Sequence, residues 1–156
     1  MVDEIPVAHT PPGGYGATMP APILGDCDEP LAAGAPDLRG NWTVTQVTVN
    51  AEPAPAEHRI HSHVERIEQG GDRVVITAGG VIHDMRADGT AEHGVNDVAH
   101  DFATQIQVVA TFENAVLVLR PVGMRGVEVR RWRDGDELVW DYAGAFTARM
   151  KRTERP

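Results

Sequence analysis

Residues 40–49 read Gly-Asn-Trp-Thr-Val-Thr-Gln-Val-Thr-Val, a stretch of alternating β-branched residues behind one tryptophan. Such side chains sit easily on a pleated strand and crowd the turns of a helix, so the run reads as a strand opening at Trp42. The chain ends in a matching, basic run, Ala145–Arg152. Between the two, the apolar period stays near two, and no segment sustains a 3.6-residue stripe. Pro53 and Pro55 break the chain after the first strand. Further strands are expected over residues 59–68, 73–77, 81–86, 95–99, 105–112, 115–120, 127–133 and 137–142. Turn signals separate them at Gly70-Gly71-Asp72, Gly79-Gly80, Asp88-Gly89, Glu113-Asn114 and Asp134-Gly135. Many short strands joined by hairpins need a sandwich or a barrel, and closure removes exposed strand edges. The expected fold is therefore all-β, a single antiparallel up-and-down β-barrel of about 8–10 strands with an irregular N-terminal extension.

That extension, residues 1–38, differs in kind from the barrel domain, residues 39–156. It holds seven of the eleven prolines, six acids and no Lys or Arg. Its composition reads as extended or poorly ordered. Yet Ile5, Val7, Tyr15, Met19, Ile23, Leu24 and Leu31 punctuate it. It is either a strap along the barrel wall, a lid over its mouth, or a solvated leader.

At 156 residues there is room for one core without disulfide or metal staples. The lone Cys27 cannot form an internal disulfide and sits between Asp26 and Asp28, which disfavours a reactive thiolate. A net charge of −9 argues against sequence-independent nucleic-acid binding and against attachment to an anionic membrane. The first residues lack a basic n-region and an apolar h-region, and no apolar run reaches bilayer-spanning length, so a cytoplasmic location is expected. No nucleophile elbow, P-loop, dinucleotide fingerprint or zinc cysteine cluster is present, and no cofactor is expected.

Gly40-x-Trp42 at the first strand, successive hairpins and a closing strand bearing Arg149 resemble the calycin superfamily of lipocalins, fatty-acid-binding proteins and their bacterial relatives. The likeness covers about residues 38–153. Its most specific part is Val127-Glu128-Val129-Arg130-Arg131, Asp134-Gly135, Leu138-Val139-Trp140 and Thr147-Ala148-Arg149. These resemble the last three strands of a fatty-acid-binding protein, in which two arginines hold the ligand's carboxylate, and Arg130 and Arg149 stand at the matching places. Lys151 replaces the tyrosine usual two residues after the second arginine, and 51–57 is too short for the family's helical lid. Val44 takes the place of the second glycine of the haem-binding branch and no histidine follows His100, so the resemblance implies an apolar ligand rather than haem.

Several residues are candidates for lining the cavity of such a barrel. Arg130 and Arg149 carry guanidinium forks suited to a carboxylate or enolate. Because Arg130 and Arg131 have opposite parity, either one faces inward; Arg149 is alternatively a structural cap stacked on Trp42. Gln105 and Gln107 share a strand face and, if inward, would bind carbonyls. Val81, His83 and Met85 alternate on an expected inward face, which makes His83 a candidate acid–base group or a satisfied core histidine. His61, His63 and Glu65 share a face too. They are open to three readings: a weak metal site, a solvent-facing row, or polar groups within the cavity.

The scarcity of aromatic residues, three Phe, two Tyr and three Trp, favours an open cavity over a plugged one. The expected function is binding of a small hydrophobic molecule with an acidic or carbonyl head group. An alternative is a cofactor-free cyclase or isomerase that folds a polyketide- or polyene-like substrate in the same cavity under the N-terminal segment. A filled barrel serving assembly is a third reading. Either a monomer or a homodimer is compatible with the sequence.

Overall fold

The alternation that begins at Gly40 is realised as one continuous antiparallel ladder. The computed structural model describes residues 1–153, with strands β1 (Gly40–Val49), β2 (Glu52–Pro53), β3 (Val64–Gly70), β4 (Arg73–Ala78), β5 (Val81–Arg86), β6 (Val95–Val98), β7 (Gln105–Glu113), β8 (Val116–Pro121), β9 (Val129–Asp134), β10 (Glu137–Tyr142) and β11 (Phe146–Thr153). The order around the sheet is β5-β4-β3-β1-β11-β10-β9-β8-β7-β6, with the two-residue β2 paired to the end of β1. First and last long strands lie side by side in the middle of the sheet, Trp42 opposite Arg152. The sheet curls into a nearly closed barrel whose seam runs between β5 and β6. Among the described residues, no helix is long and apolar enough to cross a membrane.

A bulge between Val44 and Gln46 sets the facing of β1. Thr45 and Gln46 both stay outside, while Trp42, Val44 and Val47 all enter the core. One extra residue is what permits this, because a regular strand reverses its side chains at every step. Residues 59–62, expected to begin a strand, instead form a 3-10 turn after His58, whose Nδ1 accepts the Ile60 N–H. Its side chain thereby satisfies a turn amide that has no ladder partner. The Gly79-Gly80 corner requires glycine for space as well as for backbone angle. Gly80 has φ +91°, and a Cβ there would lie 2.6 Å from the Phe102 ring.

The end of the barrel near Trp42 is packed solid. Leu38, Trp42, Ile67, Leu138 and Met150 are fully buried there. The Trp42 indole donates to the Leu38 carbonyl at 2.8 Å. Arg152 and Arg133 stack over its ring at 4.9 and 5.5 Å. Around Trp42 this region is filled by aliphatic side chains and one methionine, so aromatic scarcity does not translate into an open interior.

The extension lies along the outer face of β3, β4 and β5, not over a mouth. Leu24 packs on the outward-facing Val75 and Ile82, joined by Ile5, Tyr15 and Ile23. Polar groups of the wall receive the backbone of the strap. Leu24 N–H donates to Glu68 at 2.7 Å and Leu38 N–H to Gln69 at 2.6 Å. Arg73 uses its whole guanidinium, with two bonds to Asp84 and three to the carbonyls of Val2, Ile5 and Pro6. An irregular chain rich in proline has many unpaired carbonyls, and a buried arginine with five donors suits that need.

Candidate functional site

Several polar residues of the interior gather around Trp140. Inward positions of a strand are two apart, so β9 presents Val129, Arg131 and Arg133 to the inside, and β10 presents Leu138 and Trp140. From β3 comes Glu65, register partner of Trp42 and Ala78. Arg131 donates Nε to Glu65 Oε2 at 2.9 Å and Nη2 to Oε1 at 3.2 Å. His63 Nε2 meets the same Oε1 at 2.8 Å. Glu65 is 1% exposed and Arg131 5% exposed, so this is a desolvated charge pair with the bidentate geometry that such a pair needs. Burial by itself would raise the Glu65 carboxyl, but the Arg131 guanidinium and His63 outweigh it and hold it at about 2.

Trp140 roofs this pair. The Arg131 guanidinium lies 4.8 Å from its ring centroid and the His63 ring 4.6 Å away. Its Nε1 is buried and has no hydrogen-bond partner among the described residues. Phe146 packs edge-on at 5.0 Å, and Tyr142 stacks on Phe146 at 5.2 Å. With His58 against Phe146, these rings form an aromatic cluster where β10 turns into β11.

A cavity of about 50 Å³ adjoins the cluster, lined among others by His63, His83, Met85, His100, Arg131 and Trp140. It has room for water but not for a sizeable ligand. His83 Nε2 faces the Val98 carbonyl at 2.9 Å, which can only accept, so this nitrogen carries the proton and Nδ1 is the basic one. Burial lowers the His83 pKa below its ordinary value, which keeps the ring neutral at neutral pH. The His100 ring sits 6.2 Å away.

Of the residues singled out in the sequence, His83, Met85 and His63 meet at this cavity. Trp42 is interior but packs against Leu38 and Arg152 and does not line this cavity. The two arginines expected inside lie outside. Arg130 is exposed and pairs with Glu128. Arg149 pairs with Asp134 at 3.0 Å and Glu137 at 2.9 Å. Parity is the reason: Phe146, Ala148, Met150 and Arg152 point inward, so Arg149 cannot, and Arg152 takes the stacking place on Trp42. Gln105 and Gln107 are exposed as well, Gln107 donating to Asn96 at 2.8 Å. His61 leaves the row with His63 because the 3-10 turn carries its Nε2 to the Pro55 carbonyl at 2.9 Å. Arg131, Glu65, Trp140 and His100 complete the cluster. Arg131 was legible as the inward alternative to Arg130, and Glu65 as a neighbour of His63, but no sequence signal paired them across 66 positions.

No protein-family model matches the chain, and no curated protein is significantly similar to it in sequence.

Proposed function

We propose that the end of the barrel lined by Arg131, Trp140 and the histidines is a binding chamber for a small hydrophobic molecule with a carbonyl head. The observation that carries this reading is the buried Trp140 Nε1 with no acceptor among the described residues. An indole N–H in a dry interior normally has a partner, and a ligand oxygen is the natural one. Arg131 contributes as well: its fork to Glu65 uses Nε and Nη2 and leaves Nη1 outside the pairing. The charge balance selects the head group. Glu65 already neutralises Arg131, so a neutral carbonyl or enol oxygen suits the chamber better than a carboxylate. The apolar body would lie against Met85, Leu119 and Val81. Admission of a ligand requires the lining side chains to give way, since the cavity at rest is small.

A second reading, a cofactor-free cyclase or isomerase, draws on one observation: neutral His83, with Nδ1 as its basic nitrogen, lines the same cavity as the carbonyl-directed donors. A base beside polarised carbonyl oxygen suits enolisation or ring closure. The strap, lying on the outer wall, would not be the element that excludes water there.

Native mass spectrometry of the freshly purified protein, with denaturing analysis of what it releases, tests the binding reading. A carbonyl-bearing apolar molecule is expected, and Trp140→Phe should weaken its retention about tenfold. An unliganded protein that also rejects hydrophobic fluorescent probes would refute the chamber.

A further inference from the structure

A further cavity lies outside the barrel. Residues 17–22 of the strap stand away from the wall and, with the outward faces of β1 and β3, enclose a groove of about 550 Å³. Trp42 and Glu65 point inward, so Asn41, Thr43, Val64 and Arg66 form its floor.

Two polar atoms on that floor, Arg66 Nε and Asn41 Oδ1, have no hydrogen-bond partner among the described residues, and neither has Glu68 Oε2 beside them. Arg66 is only 6% exposed, and its Nε has no hydrogen-bond partner among the described residues. The Glu68 carboxylate approaches to 3.7 Å, beyond hydrogen-bonding reach. Its other oxygen is already taken by the Leu24 N–H. Arg73 and Arg131, also buried, both have their forks engaged. The buried Asn41 Oδ1 likewise has no hydrogen-bond partner among the described residues. Asn41 and Arg66 are register partners on adjacent strands, so an unpartnered acceptor stands beside a cation whose one ion pair, to Glu68, is too long for a hydrogen bond. Around them the groove is apolar, with Val64 on one side and Met19–Pro22 on the other.

We propose that this groove is a second binding site, separate from the barrel interior, for a small amphipathic hydroxy acid. Its carboxylate accepts from the Arg66 guanidinium, its hydroxyl donates to Asn41 Oδ1, and its apolar body lies between Val64 and the strap. A monoanion fits better than a phosphate dianion, because Glu68 stands 3.7 Å from Arg66 and repels a second negative charge. The volume is within the range of small-molecule sites.

The test is a titration of the isotope-labelled full chain with 3-phenyllactate, followed by the Arg66 Nε–H, the amides of residues 17–22 and the Trp140 indole N–H in nuclear magnetic resonance spectra. Saturable shifts at Arg66 and the strap, with Trp140 unmoved, are expected. Methyl 3-phenyllactate should bind about tenfold or more weakly, and Arg66→Met should have a similar effect. Ala21→Trp, at an exposed position on the groove's rim, should fill the groove and abolish binding without changing thermal unfolding. This variant decides the matter if Arg66→Met fails to fold. No saturable shift at millimolar ligand, shifts confined to Trp140, or undiminished binding in Ala21→Trp would each overturn the proposal; the chamber within the barrel stands or falls separately.

Discussion

Thr10 donates its backbone N–H to Asp97 Oδ2 across 3.0 Å, tying the strap to β6. The Thr10 hydroxyl oxygen simultaneously accepts the Ile82 N–H at 2.9 Å, on β5. These strands are the two ends of the sheet, and they share no regular ladder. The strap therefore supplies hydrogen bonds that closure would otherwise have provided, alongside the direct link from His83 to the Val98 carbonyl.

Replacement of Thr10 by valine keeps the volume and removes the hydroxyl. The Ile82 amide is then left without an acceptor, and a loss of about 1–2 kcal/mol is expected. Hydrogen exchange at Ile82 should accelerate in this variant while the amides of β10 and β11 keep their protection. Unchanged exchange at Ile82 would show that the seam does not depend on the strap.

Arg73 governs the other anchorage of the extension. Arg73→Met removes the bonds to Val2, Ile5 and Pro6 together and leaves Asp84 with only the Ala8 N–H. Limited proteolysis should then cut near Gly13–Gly16 well before the barrel is attacked. Equilibrium unfolding should show a loss of about 3–5 kcal/mol, the cost of a buried carboxylate deprived of its cation.

The Glu65–Arg131 pair lends itself to a double-mutant comparison. Arg131→Met alone strands a buried carboxylate and is expected to cost about 3–5 kcal/mol, whereas Glu65→Gln with Arg131→Met together should cost less than that single change. Urea midpoints of the two variants and the parent protein measure this. If the double variant were the less stable, the pair would be contributing more than it costs to desolvate.

Acidification should weaken the fold in two stages. The His83 pKa in the folded protein lies below its ordinary 6.5, so the unfolded chain takes up a proton there first, and stability declines as pH falls below about 6.5. Glu65 is depressed from 4.5 to about 2, so its contribution is complete above 4.5 and is lost as pH drops toward 2. That second stage is on the order of 3 kcal/mol. Urea midpoints between pH 8 and pH 3 should show both declines, and because burial lowers His100 as well, His83→Gln should reduce the first without abolishing it and leave the second.

Strand boundaries were readable because period two and turn chemistry are local properties. Val81–Arg86 and Glu137–Tyr142 appear where the alternation placed them. The 59–68 strand was over-extended at its start, since a His58 cap and a 3-10 turn leave little periodic trace. The site was harder to read. Parity is fixed only once one residue of a strand is known to face inward, and a single step separates Arg130 from Arg131. With no helix to register against, the choice between Arg149 and Arg152 as the partner of Trp42 turned on the cross-strand pairing of β1 with β11.

The amino-acid sequence by itself determined an all-β chain of short antiparallel strands behind a proline-rich acidic extension, because backbone preference and turn geometry act over a few residues. The tertiary structure alone decided which arginine enters the barrel, which carboxylate receives it, and that the extension runs along the outer wall. Those outcomes depend on register, on one bulge in β1 and on the burial of charges brought together from distant positions, and burial energy is a property of the assembled interior rather than of any local stretch.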